Sequence, residues 1–351
     1  MGKTINSVLI IIFILIIVQT AKCEAEFHIK FQFDTTNEFT IDEVYKDIYF
    51  KNHKLSIGKK RIKFNPGELN QLIYNVNGPS VPLIYLEDRL KYFYVQQAVF
   101  EISEEKLRRL FIRRIIFDKI IKNFEIGFTE GIIATEHINP LYYLPYPYLP
   151  HYIYKKMSGL NNKYDKHDDF YAEVDMTYET DYIKLYGEIL VDEYPSQPGS
   201  SNPDKRGHLV GFKVPVYNNY FINLEYSNVF AGVYEHRIEE NEYTFNGGYI
   251  GHSFGADLEE YDLKIGYEDN LRSYGIIYSK IRKGPNDTDV KGNMGRDGIL
   301  LKKIIEEYDS YNIYLKGFGY KHNWSTELSL LNNTIENQVF FDIKLTYKII
   351  F

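Results

Sequence analysis

One stretch near the end of the chain decides the fold class: Val339-Phe340-Phe341-Asp342-Ile343-Lys344-Leu345-Thr346-Tyr347-Lys348-Ile349-Ile350-Phe351. Every odd-numbered position in it is apolar, whereas the even positions include Asp342, Lys344, Thr346 and Lys348. This period of two predicts a β-strand with one apolar and one polar face. The strand is long enough to cross a bilayer core at a tilt, which takes about 9–11 residues. The stretch therefore predicts a strand of a transmembrane β-barrel, and the alternative is an edge strand of a soluble β-sandwich.

Residues 1–23 are predicted to be a secretory signal peptide. A basic start, the unbroken apolar run Val8–Val18 and the small residues that follow are its three expected parts. Cleavage is expected after Cys23 or after Ala25, so that residues 24–351 form the barrel. Either cut removes the only cysteine of the chain. A lipoprotein that keeps Cys23 as its first residue is the less favoured alternative.

The composition of the remaining chain agrees with a barrel. It contains no apolar run of about eighteen residues, the length that a transmembrane helix needs, so only a closed barrel would satisfy its backbone in lipid. The chain has 33 Tyr and 23 Phe but one Trp, and the aromatic residues of barrels gather in girdles at the two membrane interfaces. The formal net charge of −7 argues against a nucleic-acid partner, because phosphate binding needs clustered excess cations.

Alternating segments recur along the chain and begin with Phe27–Asp34. Short turns between them alternate with longer polar loops, which is the layout of a transmembrane barrel. Asn65–Pro82 is predicted to be a loop that folds into the barrel, because its apolar Leu72 and Ile73 would be unfavourable in solvent. The predicted fold class is all-β: a transmembrane antiparallel β-barrel of about 14–18 strands with inward-folded loops.

The same alternation predicts individual strands. Tyr49–Phe64 and Leu90–Phe100 each predict one strand. Gly298–Asp309 and Tyr311–Gly319 predict two strands with a short turn between them. Ser103–Ile121 leaves two alternatives, a basic amphipathic helix or a strand, and its β-branched residues favour the strand.

A stiff segment, Asn139–Tyr152, combines four prolines with five tyrosines. Its prolines remove ladder hydrogen bonds, so it is predicted to be extended and to lie outside the sheet. Two interpretations remain open: a loop that stacks on sugars or gates the barrel, and an aromatic plug packed inside it. The candidate residues for saccharide binding in this segment are Tyr142, Tyr143, Tyr146 and Tyr148.

Several short motifs follow one another in a recognisable order: Gly58-Lys59, Pro66-Gly67, Asn77 and Pro79, Arg113-Arg114, Glu130, Glu188 with Asp192, and His252 within Ile250–Asp257. In this order the chain resembles the Wzi capsule-assembly proteins, which are outer-membrane β-barrels that act as lectins for capsular polysaccharide. The resemblance spans Ser56–Phe351, and it is carried by the order of the motifs. It implies that His252 joins the four tyrosines as a loop candidate for polysaccharide binding, while the other motif residues belong to the lumen and the structural frame.

The resemblance implies a protein without enzymatic activity that binds or anchors capsular or other extracellular polysaccharide at the cell surface. It also implies the outer membrane of a diderm bacterium, with outer-membrane lipid around the barrel. The barrel-assembly machinery is the expected partner of Phe351. A porin or solute channel is the main alternative function.

Catalytic and metal chemistry find little support in the sequence. Gly251–Gly255 matches the G-x-S-x-G pattern around a nucleophilic serine, Ser253, but the strand-to-helix turn that this pattern requires is not predicted there. Acidic residues near Asp168 and in the Glu235–Glu242 region provide oxygens of the kind that calcium prefers, without a calcium-loop pattern. The histidines form no H-x-x-x-H pair. A membrane hydrolase remains the least favoured alternative, and neither a metal nor a cofactor is predicted.

A basic run, Lys106–Arg114, has two interpretations. It could meet anionic lipid or acidic sugar, since cationic side chains attract polyanions. The favoured interpretation is that arginines face the lumen and pair with carboxylates across the barrel, with Glu188, Glu173 and Asp175 as the expected partners.

Overall fold

The computed structural model describes residues 24–33, 39–78, 80–103, 108–135, 140–143, 169–192, 205–235, 242–245, 248–285, 296–297, 300–301, 304–318, 322–335 and 338–350. The predicted signal peptide, Pro79, Tyr146, Tyr148 and Phe351 lie outside the described residues.

The described residues form a closed antiparallel barrel of 16 strands and two small hairpins. In chain order the strands are β1 (Glu24–Phe33), β2 (Phe39–Phe50), β3 (His53–Lys60), β4 (Val81–Arg89), β5 (Tyr94–Ser103), β6 (Arg108–Ile121), β7 (Phe124–Thr135), β8 (Asp169–Glu179), β9 (Lys184–Asp192), β10 (Arg206–Pro215), β11 (Tyr220–Val229), β12 (Thr244–Phe245), β13 (Gly248–Tyr249), β14 (Leu258–Glu268), β15 (Arg272–Lys283), β16 (Arg296–Asp297), β17 (Leu300–Leu301), β18 (Glu306–Phe318), β19 (His322–Asn333) and β20 (Gln338–Ile350). The pairs β12–β13 and β16–β17 are the hairpins, and the other strands form the barrel. The predicted fold class is confirmed.

The barrel closes between its first and last strands. β1 pairs with β20 in an antiparallel register in which His28 lies opposite Ile350 and Phe33 lies opposite Leu345. Closure leaves no strand edge among the sixteen, which is the condition for a sheet to be stable in lipid. The alternating stretch at the end of the sequence therefore closes the barrel on the first alternating stretch.

The period of two separates an apolar outer face from a polar inner face. On β20, the odd-numbered Phe341, Leu345 and Tyr347 are exposed on the outside. The even-numbered Lys348 points inward and donates a hydrogen bond to the Tyr45 hydroxyl at 2.7 Å. The outer surface thus suits hydrocarbon, while the inner surface carries the charged side chains.

The two ends of the barrel differ in the length of their connections. At one end, here called the short-turn end, the connections are residues 51–52, 90–93, 122–123, 180–183, 216–219, 269–271 and 319–321. At the other, here called the long-loop end, they include residues 61–80, 136–168, 230–257 and 284–305. No helix in the described part of the chain is long and apolar enough to span a membrane.

The strand alternative for Ser103–Ile121 is confirmed by β6. Other predicted boundaries are wrong. Tyr49–Phe64 is interrupted by a turn in which Lys51 adopts a φ of 53°, and β4 is a strand where Pro82 had suggested a loop. β18 continues through the turn predicted between Gly298–Asp309 and Tyr311–Gly319.

Candidate functional site

One long loop, residues 61–80, enters the interior of the barrel from the long-loop end and is here called the plug loop. Its Leu72, Ile73 and Tyr74 are at most 1% exposed. They pack against wall residues as far apart as Leu110 on β6 and Leu258 on β14. The predicted inward loop at Asn65–Pro82 therefore crosses the lumen, and its apolar residues form the centre of the core.

Two wall carboxylates hold the backbone of the plug loop. Glu188 on β9 accepts hydrogen bonds from the backbone N–H groups of Gly67 at 2.8 Å and Leu72 at 3.0 Å. A non-helical loop in the interior of a barrel has no ladder partners, and each buried N–H without one would be costly. Glu188 thus replaces the sheet as an acceptor, with one oxygen for each donor.

Glu225 on β11 holds the next part of the loop. It accepts backbone N–H groups from Glu68 at 2.9 Å, Leu69 at 3.2 Å and Asn70 at 2.6 Å. The Tyr186 hydroxyl donates to the same carboxylate at 2.8 Å. Four donors on one buried carboxylate, which is 4% exposed, make this the most densely bonded anchor of the plug loop among the described residues.

Gly67 is a glycine for steric reasons. A Cβ atom there would lie 2.0 Å from the Asn70 carbonyl oxygen and 2.9 Å from a carboxylate oxygen of Glu188. The backbone can approach Glu188 this closely only without a side chain. The Pro66-Gly67 motif therefore marks the turn at which the plug loop meets the wall.

A second inward loop, residues 230–257, locks the plug loop from the other side. Tyr234 and Tyr243 donate hydrogen bonds to the carbonyl oxygens of Leu72 and Ile73, both at 2.6 Å. The backbone N–H of Asn75 donates to the Ile250 carbonyl at 2.8 Å. The two loops thus form one interlocked plug.

Arg114 links the plug loop to the opposite wall. Its guanidinium donates to Asp175 on β8 through Nε at 3.1 Å and Nη2 at 2.6 Å. It also donates to the Phe64 carbonyl oxygen of the plug loop. Bidentate pairing with a carboxylate is the strong geometry for arginine, and Asp175 is one of the partners expected from the sequence.

Glu68 carries an ion pair at the short-turn side of the plug. Burial acts to raise the pKa of the Glu68 carboxyl, but the ammonium groups of Lys63 and Lys184 outweigh it and hold the pKa below its ordinary value. Lys184 on β9 contacts the carboxylate directly. The carboxylate is therefore ionised at neutral pH and fixes this edge of the plug loop to the wall.

Two further motif residues, Asp192 and Asn77, form hydrogen bonds with the inward loops, whereas Lys59 does not. Asp192 accepts the backbone N–H of Tyr234 at 2.8 Å, and the Asn77 side chain donates to the Leu69 carbonyl at 3.0 Å. Lys59 lies at the rim and donates to the Ile41 carbonyl at 3.4 Å.

Arg113 and Glu130 lie on the outer face, contrary to the expectation that both arginines of the basic run face the lumen. Consecutive strand residues point to opposite faces, and Arg114 takes the inner one. Arg113 lies opposite Glu130 in the register of β6 and β7, and its side chain is 2% exposed. This buried charged position is part of an outer patch with Phe111 and Phe170.

The described part of the Pro-Tyr segment packs against this outer patch. Residues Pro140–Tyr143 form a short 3-10 helix. Tyr142 is buried, with its ring centroid 5.5 Å from that of Phe111, and Tyr143 is exposed, with its ring centroid 5.1 Å from the same Phe111. These described residues therefore do not form an aromatic plug inside the barrel, which was one of the two interpretations left open for the segment. The lumen is filled by the two inward loops instead.

His252 is fully buried, which differs from its expected place in a saccharide-binding loop. Its Nε2 lies 2.9 Å from the Ser227 hydroxyl and 3.1 Å from a Glu260 carboxylate oxygen. The hydroxyl of Ser253 accepts a hydrogen bond from the Asn75 amide at 2.6 Å. Ser253 thus helps to hold the plug loop, and its segment lies between β13 and β14 without a helix in the described residues.

Glu26, His28 and Asp47 form a further polar cluster on the inner face of β1 and β2. Their ligand atoms lie within 4.8 Å of one another. The Asp47 oxygens already accept the Ser56 hydroxyl at 2.6 Å and the Lys54 ammonium at 2.9 Å. The cluster is therefore a neutralised part of the lumen wall.

An open cavity of about 250 Å³ lies beneath the plug loop, towards the short-turn end. Lys63 and Pro66 of the plug loop line it from above, and Tyr94, Arg114 and Lys184 line it from the wall. Water and solutes can therefore enter the lumen from this end as far as the plug.

Sequence reasoning missed Glu225 and Asp262 as anchors of the plug loop. Asp262 accepts the Asn70 side-chain amide at 2.9 Å. Glu225 stands at an inward position of β11, and Asp262 stands at an inward position of β14. The sequence does show that each carboxylate occupies a strand position whose side chain points into the lumen. It does not show which residue the carboxylate binds, because that residue lies far away along the chain.

Comparisons with known proteins bear on the fold. No protein-family model matches the sequence, and no curated protein matches it. Wzi from Escherichia coli is described as an outer membrane protein involved in group 1 capsule assembly and as a carbohydrate-binding β-barrel. The similarity to its solved structure covers 93% of this chain and 84% of the Wzi chain. The sequence identity is 12% and the TM-score is 0.61.

The chain has a Wzi-like barrel fold. Similar structures also include OccAB4 from Acinetobacter baumannii, with 9% identity, 94% of this chain and 98% of that chain covered, and a TM-score of 0.52. OpdK, an outer membrane protein from Pseudomonas aeruginosa, has the same identity and coverage and a TM-score of 0.50. The barrel is thus of the outer-membrane kind, and at these identities the likeness concerns the fold alone.

Proposed function

We propose that this protein is an outer-membrane barrel that binds or anchors extracellular or capsular polysaccharide at the cell surface without turning it over. In this proposal the short-turn end faces the periplasm and the long-loop end faces the exterior, as in other transmembrane barrels. A cleaved signal peptide exports the chain, and the barrel-assembly machinery inserts it.

The observation that carries the proposal is the interlocked plug. Tyr234 and Tyr243 of one inward loop bond to Leu72 and Ile73 of the other, and both loops are anchored to the wall by buried carboxylates. Buried hydrogen bonds that are all satisfied make a structure rigid. The plug therefore fixes the two inward loops, and we infer that the barrel presents a rigid surface. The Wzi fold, in which carbohydrate binding is described for the E. coli protein, supports the same function.

A porin or solute channel is the second candidate. It is favoured by the similarity to OpdK, which has also been solved with vanillate, and by the open cavity beneath the plug. The two candidates differ in one measurable property: a polysaccharide-binding barrel with a fixed plug passes little current, whereas a channel conducts steadily.

The test combines retention of polysaccharide with conductance. The refolded barrel is immobilised and incubated with polysaccharide extracted from the surface of the cells that produce it, and the same preparation is inserted into a planar bilayer. We expect retained polysaccharide and no steady open current. A large steady current without retained polysaccharide would establish the channel instead. A refolded porin with an open lumen, inserted in the same way, is the positive control showing that the bilayer assay detects an open lumen.

A further inference from the structure

Four lysines and three aromatic rings alternate around one side of the lumen, directly beneath the plug loop. They are here called the lysine arc and comprise Lys184 and Tyr186 on β9, Lys213 on β10, Phe221 on β11, Lys264 on β14, and Tyr314 and Lys316 on β18. All of these strands are neighbours in the barrel except β14 and β18, which β15 separates. The arc therefore forms a continuous band on the inner wall.

The rings hold the ammonium groups in place. Lys213 and Lys264 both lie over the Phe221 ring, with their Nζ atoms 4.2 and 5.4 Å from its centroid. Lys264 and Lys316 flank Tyr314 in the same way, at 4.7 and 5.5 Å. Cation–π contacts of this kind fix a lysine head without neutralising its charge.

The charge of the arc is incompletely balanced. Lys213 reaches Glu268 at 3.4 Å, and Lys184 contacts Glu68. Neither Lys264 nor Lys316 has a carboxylate within ion-pair distance in the part of the chain that the structure describes. Like charges held near one another raise the free energy of the empty protein, so an anion that spans them is bound with a favourable electrostatic contribution.

The arc is accessible from solution. It lies one or two inward positions below Glu225 and Asp262, the anchors of the plug loop, on the side of the short-turn end. The cavity beneath the plug joins it at Lys184. Lys316 is exposed although it points into the lumen, which shows that the space in front of the arc is open.

We infer that this lumen vestibule binds a carboxylate-bearing saccharide chain through the ammonium groups of Lys213, Lys264 and Lys316. It does so at the short-turn end, which the proposed function places in the periplasm, so the arc engages the polysaccharide on the opposite side of the plug from the surface that anchors it. Successive charges along one band fit a linear polyanion better than a single small ion. All four cations are lysines, which bind carboxylates and phosphates alike as point charges. The arc therefore selects for negative charge, and the choice of a carboxylate follows from the saccharide of the proposed function. The identification of the polyanion as a saccharide rests on the proposed function. The location of the site and the negative charge of its ligand rest on the lysine arc.

The test is calorimetric titration of the full-length barrel in detergent with oligogalacturonate and with a neutral maltooligosaccharide of the same length. We expect binding of the acidic oligomer only, weakened by added salt. The double variant Lys264→Gln/Lys316→Gln should bind it about tenfold more weakly, since two partly solvated ion pairs are lost. Lys264→Arg/Lys316→Arg keeps the charge and should retain most of the affinity.

The matched control is Lys91→Gln/Lys122→Gln, which removes the same charge from two short turns outside the arc and should leave binding unchanged. Heat-modifiable mobility of each barrel on a gel confirms that it is folded. Equal affinity of the wild-type and the Lys264→Gln/Lys316→Gln barrel would overturn the inference, as would equal binding of the neutral oligomer. Tighter binding of polyphosphate than of oligogalacturonate would overturn the assignment to carboxylates.

The outcome for the proposed function is separate. Polysaccharide retention that survives in Lys264→Gln/Lys316→Gln leaves the proposed function standing and removes the lysine arc from it. Binding of oligogalacturonate without retention of any surface polysaccharide would support the lysine arc as an anion site and overturn the proposed function. A barrel that binds neither overturns both.

Discussion

Glu225 on the barrel wall accepts the backbone N–H of Asn70 at 2.6 Å, so a loop made early in the chain is bonded to a strand in its second half. The same carboxylate takes two further backbone N–H groups and one hydroxyl. The plug loop is thus held by its main chain, and its side chains are free to form the core.

Replacing Glu225 by alanine should open the plug. Three backbone N–H groups lose their acceptor, and the loss of even part of this set costs about 3 kcal/mol of unfolding free energy. We expect single-channel recordings to show a new fluctuating current and thermal unfolding to begin earlier. The control is Glu268→Ala, which removes an exposed carboxylate from the short-turn end. A closed and equally stable Glu225→Ala barrel would contradict the assigned role of this residue.

Arg114 and Asp175 should be strongly coupled. Arg114→Met leaves the Asp175 carboxylate buried without its cation, and we expect a loss of about 3–5 kcal/mol in unfolding free energy. The double variant Arg114→Met/Asp175→Leu removes the orphaned charge and should recover a large part of that loss. Denaturant titration of the four proteins in detergent gives the coupling energy. Additive losses would show that the two side chains act independently.

Asp269 in a short turn should make the barrel sensitive to acid. Its carboxylate accepts the Tyr267 hydroxyl at 2.7 Å and the backbone N–H groups of Leu271 and Arg272 at 2.8 Å each. These hydrogen bonds, led by that of Tyr267, lower the pKa of Asp269 to about 2. Because the pKa is lower in the folded protein, the stabilisation is complete above the ordinary pKa of 3.8 and is lost as the pH falls towards 2.

The measurement for Asp269 is the difference in melting temperature between the wild type and Asp269→Ala as a function of pH. We expect a constant difference at neutral pH that shrinks below pH 3.8 and vanishes near pH 2. The control is Asn270→Ala in the same turn, which removes no ionisable group. A difference that is independent of pH throughout would mean that the carboxylate charge plays no part in the turn.

Gly58→Ala should impair the barrel more than other glycine substitutions in its wall. Gly58 has a φ of 137°, and a Cβ atom there would lie 2.3 Å from the Val44 carbonyl oxygen. The backbone strain alone is worth about 2 kcal/mol, and the clash with β2 adds to it. We expect a lower yield of folded, heat-modifiable barrel. Gly131→Ala on β7, where the nearest side-chain atom would be 3.5 Å away, is the matched control; equal yields of the two variants would refute the steric argument.

The fold could be predicted from the sequence because the barrel imposes a period of two on every strand. The alternation at Val339–Phe351 and Phe27–Asp34 was sufficient to identify the two closing strands. The predicted turn at Asp309-Ser310 failed for the same physical reason, since a polar lumen accepts polar residues in mid-strand. Asp309 accepts the Tyr278 hydroxyl at 2.7 Å without interrupting β18.

The site was predictable only in part. The inward course of the plug loop follows from its apolar Leu72 and Ile73, which need burial, and Arg114 followed from the presence of a basic run in a strand. The anchors Glu188 and Glu225 and the lysine arc depend on which strands face one another across the lumen. Which strands face one another is set by the curvature and the register of the closed sheet. The alternation of polar and apolar residues along a strand carries no information about either.

The distance along the chain between the plug loop and its anchors has a consequence for the order of folding. Gly67 and Glu188 are separated by 121 residues, and Asn70 and Glu225 by 155. Contacts of such long range form late, because the intervening chain must be ordered first. The plug loop is therefore without acceptors until β9 and β11 have joined the wall, and it docks into a barrel whose lumen is still open. Refolding should accordingly show two steps, with closure of the sheet preceding a slower loss of conductance as the plug seats.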